Sequence, residues 1–186
     1  MWNLPNTLTL LRIALIPVFI VVYYMPWQFS HILSAAIFGA AALTDWVDGY
    51  LARKLNQVTP FGAFLDPVAD KLIVVAALVM LLEVHSSIWF ALPAMIIIGR
   101  ELVISALREW MAERNYREAV AVSILGKIKT WVQMVAVALL LLAVPENPIF
   151  YQLGMLGIYI AAFFALLSML IYIKQSWPQL QGKTDK

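Results

Sequence analysis

Long apolar segments recur along the whole chain, and they constrain its fold more than any other feature. A helix that crosses the hydrocarbon core of a bilayer needs about 20 mostly apolar residues. Six such segments are present, at roughly residues 8–25, 30–54, 62–83, 88–112, 120–144 and 149–173. The short breaks between them carry proline, serine, asparagine or charged residues, which favour turns. The sequence therefore predicts an all-α integral membrane protein with six transmembrane helices.

The composition agrees with a protein whose solvent is lipid. Hydrophobic residues make up 63% of the 186 residues and charged residues only 13%, whereas soluble domains are about 45–50% apolar and about 25% charged. The chain has no cysteine, which excludes disulfides and thiolate metal sites. We expect one transmembrane domain over residues 1–177, followed by a polar C-terminal tail over 178–186.

The distribution of the basic residues predicts the orientation in the membrane. With six spans, the loops near residues 27, 86 and 146 share one side, and these loops contain no lysine or arginine. Basic residues concentrate on the cytoplasmic side of membrane proteins. Both termini are therefore expected in the cytoplasm. The net charge is only +2, and we expect no nucleic-acid partner.

Four aspartates lie within or beside two of the apolar segments, where charge is unfavourable. They are Asp45, Asp48, Asp66 and Asp70. Each charged side chain at the centre of a spanning helix costs about 2.5–3.5 kcal/mol on insertion scales, so four of them require compensation. The spacings i, i+3 and i, i+4 place each pair on one helix face. Since a short loop joins the two helices, all four carboxylates can converge in one polar cavity open to the cytoplasm.

Carboxylates at this density hold either protons or divalent cations. Ligand sets made only of oxygen favour hard ions, so Mg²⁺ or Mn²⁺ is expected. Four shared carboxylates suffice for two ions, an arrangement used for in-line displacement at phosphorus. The alternative is structural, because the acids could pair with Arg53, Lys54 and Lys71 and so close the helix packing.

The residues from Asp45 to Asp70 follow the pattern Asp-x2-Asp-Gly-x2-Ala-Arg-x8-Gly-x3-Asp-x3-Asp. This pattern is complete, and in it the chain resembles the CDP-alcohol phosphotransferases. Four further stretches resemble bacterial members that use glycerol 3-phosphate as acceptor. These stretches lie at residues 3–12, 99–101, 105–110 and 126–130.

The resemblance implies a transfer of the phosphatidyl group from CDP-diacylglycerol to glycerol 3-phosphate in a bacterial inner membrane. It implies a homodimer with a cytoplasmic site of two metal ions per subunit. The four aspartates would be the metal ligands, and Asp70 would also be the general base. The residues implied for the CDP-diacylglycerol site are Asn6, Thr9, Arg12, Asp48, Gly49, Ala52, Arg53 and Gly62.

The acceptor's own phosphate requires a basic pocket, because it is dianionic. The candidate residues for it are Lys71, Arg100, Glu101, Ser105, Arg108, Lys127 and Lys129. Arg100 lies deep in its span, where it needs a carboxylate or a phosphate. It could also pair with Glu101 or with an aspartate across the bundle. The basic residues near 127 also fit the general excess of positive charge on the cytoplasmic side.

Two other functions remain open at this point. A sister enzyme of the same family would use serine or inositol phosphate as acceptor, and the basic set argues against serine only. A divalent-cation transporter would use the same carboxylates, but it needs access from both sides of the bilayer. All of the candidate residues lie in the cytoplasmic halves of the predicted spans.

Overall fold

The computed structural model describes residues 4–54, 59–114, 124–143 and 148–181. For residues 4–5, 45–54, 63 and 124–128 it describes the backbone only. The described ranges contain six helices and no strand, which confirms the all-α prediction. The helices are α1 Leu4–Tyr24, α2 Ser30–Lys54, α3 Pro60–His85, α4 Ile88–Glu113, α5 Ile124–Leu141 and α6 Pro148–Leu180.

Helices α1 and α6 extend beyond the apolar segments that predicted them. Helix α1 begins at Leu4 rather than near residue 8, and α6 continues to Leu180 rather than ending near 173. The added turn of α1 contains the polar residues Asn6 and Thr7, and Asn6 is buried and hydrogen-bonded to Thr59 at the start of α3. Hydropathy alone misses such a turn because its polar side chains are satisfied within the protein.

The outer surface of the bundle is apolar. Large side chains such as Val21, Met95 and Phe163 are more than half exposed. Helices α1, α4 and α6 are long and apolar enough to cross a membrane, and shorter apolar helical segments lie at Ser30–Thr44 and Lys129–Leu141. These features are those of an α-helical membrane protein. The count of six spans remains a prediction, since charged residues interrupt the apolar character of α3 and the described side chains cover only parts of α2 and α5.

Turn residues set the ends of α3 as the sequence predicts. Thr59 caps its N-terminus, where the Gly62 N–H donates to Thr59 Oγ1 over 3.0 Å, and Pro60 occupies the first helical position. At the other end, Ser86 adopts a left-handed conformation with φ of 40°, and its N–H donates to the Leu82 carbonyl. Helix α3 therefore has a defined length between two tight connections.

Helix α3 lies at the centre of the bundle. It contacts α1, α2, α4 and α5, while α6 packs mainly on α5 and α4. The core along these contacts is built from aromatic and aliphatic side chains, among them Phe19, Phe38, Leu78, Phe90 and Val137. The central position of α3 places its carboxylates among four neighbouring helices.

Small residues allow α5 and α6 to approach closely. A Cβ added at Gly157 would lie 2.7 Å from Ala136 Cβ, and one added at Gly154 would lie 2.6 Å from Leu140 Cγ. Close approach at small residues is a common way for helices to associate in lipid. This packing fixes the position of α5, the helix that carries Lys129 and Gln133.

Candidate functional site

A cavity of about 470 Å³ opens between α3, α4 and α5. Its size is in the range of small-molecule sites. Val74, Ile97 and Met134 form part of its apolar lining. The polar and charged residues that line it are Asp66, Asp70, Lys71, Arg100, Glu101, Ser105, Arg108, Thr130 and Gln133.

Asp66 and Asp70 form an acidic wall on α3, one helical turn apart. Each carboxylate accepts a hydrogen bond from α1. Thr9 Oγ1 donates to Asp66 Oδ1 over 2.6 Å, and Arg12 Nη1 donates to Asp70 Oδ1 over 2.7 Å. The Arg12 side chain is only 1% exposed, whereas that of Asp70 is 40% exposed. Helix α1 therefore orients both carboxylates from behind.

Asn6 joins the same two helices one turn earlier. Its Nδ2 donates to Thr59 Oγ1 over 3.0 Å. A Cβ added at Gly62 would lie only 2.5 Å from Asn6 Oδ1. The glycine of the sequence pattern thus permits the close approach of the Asn6 side chain to α3.

Glu101, which also lines the cavity, connects two buried cations. Arg100 Nη1 donates to Glu101 Oε1 over 2.9 Å, and Lys129 Nζ donates to the same oxygen. Arg100 Nη2 also donates to Ser168 Oγ on α6 over 3.2 Å. The pairing of Arg100 with Glu101 was one of the alternatives that the sequence left open. The single carboxylate holds side chains from α4 and α5 together.

Two further cations are held by hydroxyl groups. Lys71 Nζ donates to Ser105 Oγ, which links α3 to α4. Arg108 Nη2 donates to Tyr172 OH over 3.0 Å, and its guanidinium lies 5.3 Å from the centre of that ring. The predicted cations Lys71 and Arg108 therefore line the same cavity. Because the hydroxyl groups of Ser105 and Tyr172 are uncharged, these hydrogen bonds do not neutralise the positive charges of the two side chains.

Of the four predicted metal ligands, the side chains of Asp66 and Asp70 are described, and their chemistry suits a hard divalent cation. Asp66 and Asp70 offer carboxylate oxygens, and metal-binding carboxylates are typically supported by hydrogen bonds of the kind that Thr9 and Arg12 give. Within the described residues no group of three or more His, Cys, Asp or Glu is close enough to hold an ion. The remaining predicted site residues lie outside the described side chains, namely Asp45, Asp48, Gly49, Ala52, Arg53 and Lys127.

Sequence reasoning missed some polar side chains of the bundle interior. Gln133 lines the cavity and is 4% exposed, while Ser168 and Tyr172 on α6 anchor Arg100 and Arg108. Gln133 carries a usable signal, because it is an amide in an apolar segment and lies one turn after Lys129. The α6 partners carry none, since serine and tyrosine are ordinary residues in such a helix.

The bundle, its apolar exterior and the charged cavity define an α-helical membrane protein with an ionic site between its helices. The family model described as CDP-alcohol phosphatidyltransferase matches residues 2–172, and the chain belongs to this family. The resemblance seen in the sequence pattern is thereby confirmed.

Bacterial relatives with the name CDP-diacylglycerol–glycerol-3-phosphate 3-phosphatidyltransferase match nearly the whole chain. The protein of Pseudomonas fluorescens is 50% identical over 98% of this chain and 93% of its own length. That of Wigglesworthia glossinidia brevipalpis is 49% identical, with 96% and 97% covered. That of Escherichia coli (strain K12) is 52% identical, with 92% and 93% covered.

Proposed function

We propose that this protein is an enzyme that transfers the phosphatidyl group of CDP-diacylglycerol to glycerol 3-phosphate. The products are phosphatidylglycerophosphate and CMP. The names of relatives that are about half identical over nearly the full length support this substrate pair. The observation that carries the proposal is the cavity itself, because carboxylates of α3 and cations of α4 line the same space.

The acidic wall is suited to the donor substrate. Asp66 and Asp70, together with Asp45 and Asp48 of α2, would hold two divalent cations, Mg²⁺ or Mn²⁺. These ions, when bound, neutralise charge on the pyrophosphate and on the departing CMP. Thr9 and Arg12 keep the α3 carboxylates in place, and Asn6 and Gly62 hold α1 against α3. Gly49, Ala52 and Arg53 would shape the pocket for the CMP moiety.

The reaction needs a base near the attacking hydroxyl. Asp70 accepts the proton of the 1-hydroxyl of glycerol 3-phosphate as that oxygen attacks the lipid-side phosphorus. A new P–O bond forms to the glycerol oxygen, the P–O bond to CMP breaks, and CMP leaves with the electron pair. Positioning of the two substrates supplies much of the rate enhancement.

The basic side of the cavity is suited to the acceptor. Lys71, Arg100 and Arg108 reach the cavity from α3 and α4, and Lys129 supports them through Glu101. Phosphate oxygens accept hydrogen bonds, and guanidinium groups give them in pairs. Ser105 fixes Lys71, and Lys127 would add a further charge at the start of α5.

The test measures CMP release by purified protein in detergent with CDP-diacylglycerol and Mg²⁺. Glycerol 3-phosphate, serine and inositol phosphate are offered separately. We expect release only with glycerol 3-phosphate, and loss of release with a chelator or in Asp70→Asn. Glu83→Gln is the matched control, because it removes an exposed carboxylate of the same helix outside the cavity. Release with another acceptor instead would move the protein to a sister enzyme, and no release would overturn the proposal.

We also infer that the protein spans the bacterial inner membrane six times as one domain over residues 1–177. Both termini and the site face the cytoplasm, and two copies associate. Because the chain has no cysteine, single cysteines can report sidedness. An impermeant thiol reagent applied from outside should label Ser86→Cys and not Gln181→Cys; the reverse pattern would invert the orientation. Native mass spectrometry should give the mass of a dimer.

A further inference from the structure

The amide of Gln133 is the most unusual polar group in the cavity. Gln133 lies on α5 one turn after Lys129, and the two side chains are 4% and 1% exposed. Its Oε1 atom is buried and accepts no hydrogen bond from any of the described residues. A buried acceptor without a partner is unfavourable, so native proteins retain few of them. The cavity beside Gln133 is where a partner can come from.

The cations around Gln133 direct their hydrogen bonds elsewhere. Lys129 donates to Glu101, and Arg100 donates to Glu101 and to Ser168. Arg100 Nε, in contrast, is buried and has no acceptor among the described residues. Arg100 and Gln133 both line the cavity, and each carries one buried polar atom that has no partner among the described residues. A hydroxyl group can serve either kind of atom, because it accepts hydrogen bonds and also donates one.

The acceptor substrate, glycerol 3-phosphate, has a second hydroxyl group that the reaction does not use. Its phosphate oxygens cannot donate a hydrogen bond to Oε1, and its 1-hydroxyl must reach Asp70 to react. The 2-hydroxyl lies between these groups and takes no part in the transfer. It is therefore the donor that suits a carboxamide oxygen inside the cavity.

We propose that Gln133 accepts a hydrogen bond from the 2-hydroxyl of glycerol 3-phosphate and so determines acceptor specificity. This inference rests on the proposed function. A site that is built to bind a hydroxyl rejects the analogue that lacks it, because its own buried polar group is then left unpaired. Gln133 would thus separate glycerol 3-phosphate from simpler phosphorylated alcohols.

The experiment compares kcat/KM for sn-glycerol 3-phosphate with that for 3-hydroxypropyl phosphate, which lacks only the 2-hydroxyl. We expect the wild-type protein to prefer glycerol 3-phosphate by about tenfold or more. In Gln133→Met, which keeps the length of the side chain, the ratio should fall towards one. Gln152→Met is the matched control, since it changes an exposed glutamine of α6 and should keep the wild-type ratio.

The ratio separates recognition of the hydroxyl from a merely structural role. If Gln133 only fills space or binds a fixed water, the Met variant loses activity equally with both acceptors, and the inference is overturned. Gln133→Glu retains an acceptor oxygen, so it should keep a preference even though both KM values rise. Loss of the preference in Gln133→Glu would contradict the inference, so the inference stays testable if Gln133→Met does not fold. A wild-type protein that uses both acceptors equally well contradicts the inference alone, whereas one that uses neither contradicts the proposed function as well.

Discussion

Arg12 of α1 and Asp70 of α3 form an ion pair with 2.7 Å between Nη1 and Oδ1. The guanidinium is buried, while the carboxylate reaches the cavity. An arginine behind a carboxylate fixes its orientation, because the planar guanidinium offers donors in a rigid arrangement. The pair therefore couples the position of α1 to the geometry of the acidic wall.

Replacing Arg12 by lysine should lower the rate of CMP release by more than about tenfold, because an ammonium group cannot reproduce the direction of the guanidinium donors. Lysine also offers fewer donors than arginine in this buried position, and a buried group left without its hydrogen bond costs about 1–3 kcal/mol, so the unfolding temperature should fall as well. Initial rates and thermal unfolding in detergent measure both effects. Arg114→Lys, at the exposed end of α4, is the control. An Arg12→Lys protein with the wild-type rate would show that the pair does not orient Asp70.

A methyl group at Gly62 should separate α1 from α3, because the new Cβ would lie 2.5 Å from Asn6 Oδ1 and 3.2 Å from Thr59 Oγ1. We expect Gly62→Ala to be less stable and less active. Gly39→Ala is the matched control, since a Cβ there meets no atom of the described residues within 4 Å and alanine is the better helix former. Unfolding temperatures of the two variants provide the comparison. Equal stability would mean that α1 can move away from α3 without loss.

Removing the charge of Lys129 should weaken binding of the acceptor. The Lys129→Met variant leaves the negative charge of Glu101 balanced by Arg100 alone, so less positive charge remains for the acceptor phosphate. We expect the KM for glycerol 3-phosphate to rise by about tenfold, which corresponds to about 1.4 kcal/mol. The KM for CDP-diacylglycerol should change much less. Steady-state kinetics test this, with the exposed Lys174→Met as control; equal changes in both KM values would contradict it.

The contact of α5 with α6 can be tested by a pair of compensating changes. In Gly157→Ala the new Cβ would lie 2.7 Å from Ala136 Cβ, and overpacking of this kind typically costs about 1–3 kcal/mol. The unfolding temperature should therefore fall. The second change, Ala136→Gly, removes the clashing atom and should restore part of the loss. A double variant that is no more stable than Gly157→Ala would show that the two helices do not meet at this point.

Much of the helical architecture could be predicted because it depends on local properties. Apolar runs and turn residues located the six helices, and Thr59 with Pro60 marked the start of α3. Helical periodicity placed Asp66 and Asp70 on one face, since residues three or four apart are neighbours on any helix. The structure places both of them on the wall of one cavity. The family, too, followed from the spacing of the pattern between Asp45 and Asp70.

Contacts between helices could not be predicted in the same way. The bond from Arg12 to Asp70 spans 58 positions, and that from Arg100 to Ser168 spans 68. Such contacts depend on how each helix is rotated and how closely it approaches its neighbours. Small residues such as Gly62 set that approach, and their effect depends on the atoms facing them.

Hydropathy, turn residues and the spacing of the motif were thus enough to predict the lipid environment, the helices, the family and the chemical character of the site. Which polar groups meet depends on how the helices pack. Glu101 is shared by Arg100 and Lys129, and Gln133 lines a cavity while its side-chain oxygen has no partner among the described residues. These two kinds of information differ because they act over different parts of the chain. Hydropathy and periodicity act along one helix, whereas these pairings arise from close packing between helices, where a shift of an ångström exchanges one hydrogen-bond partner for another.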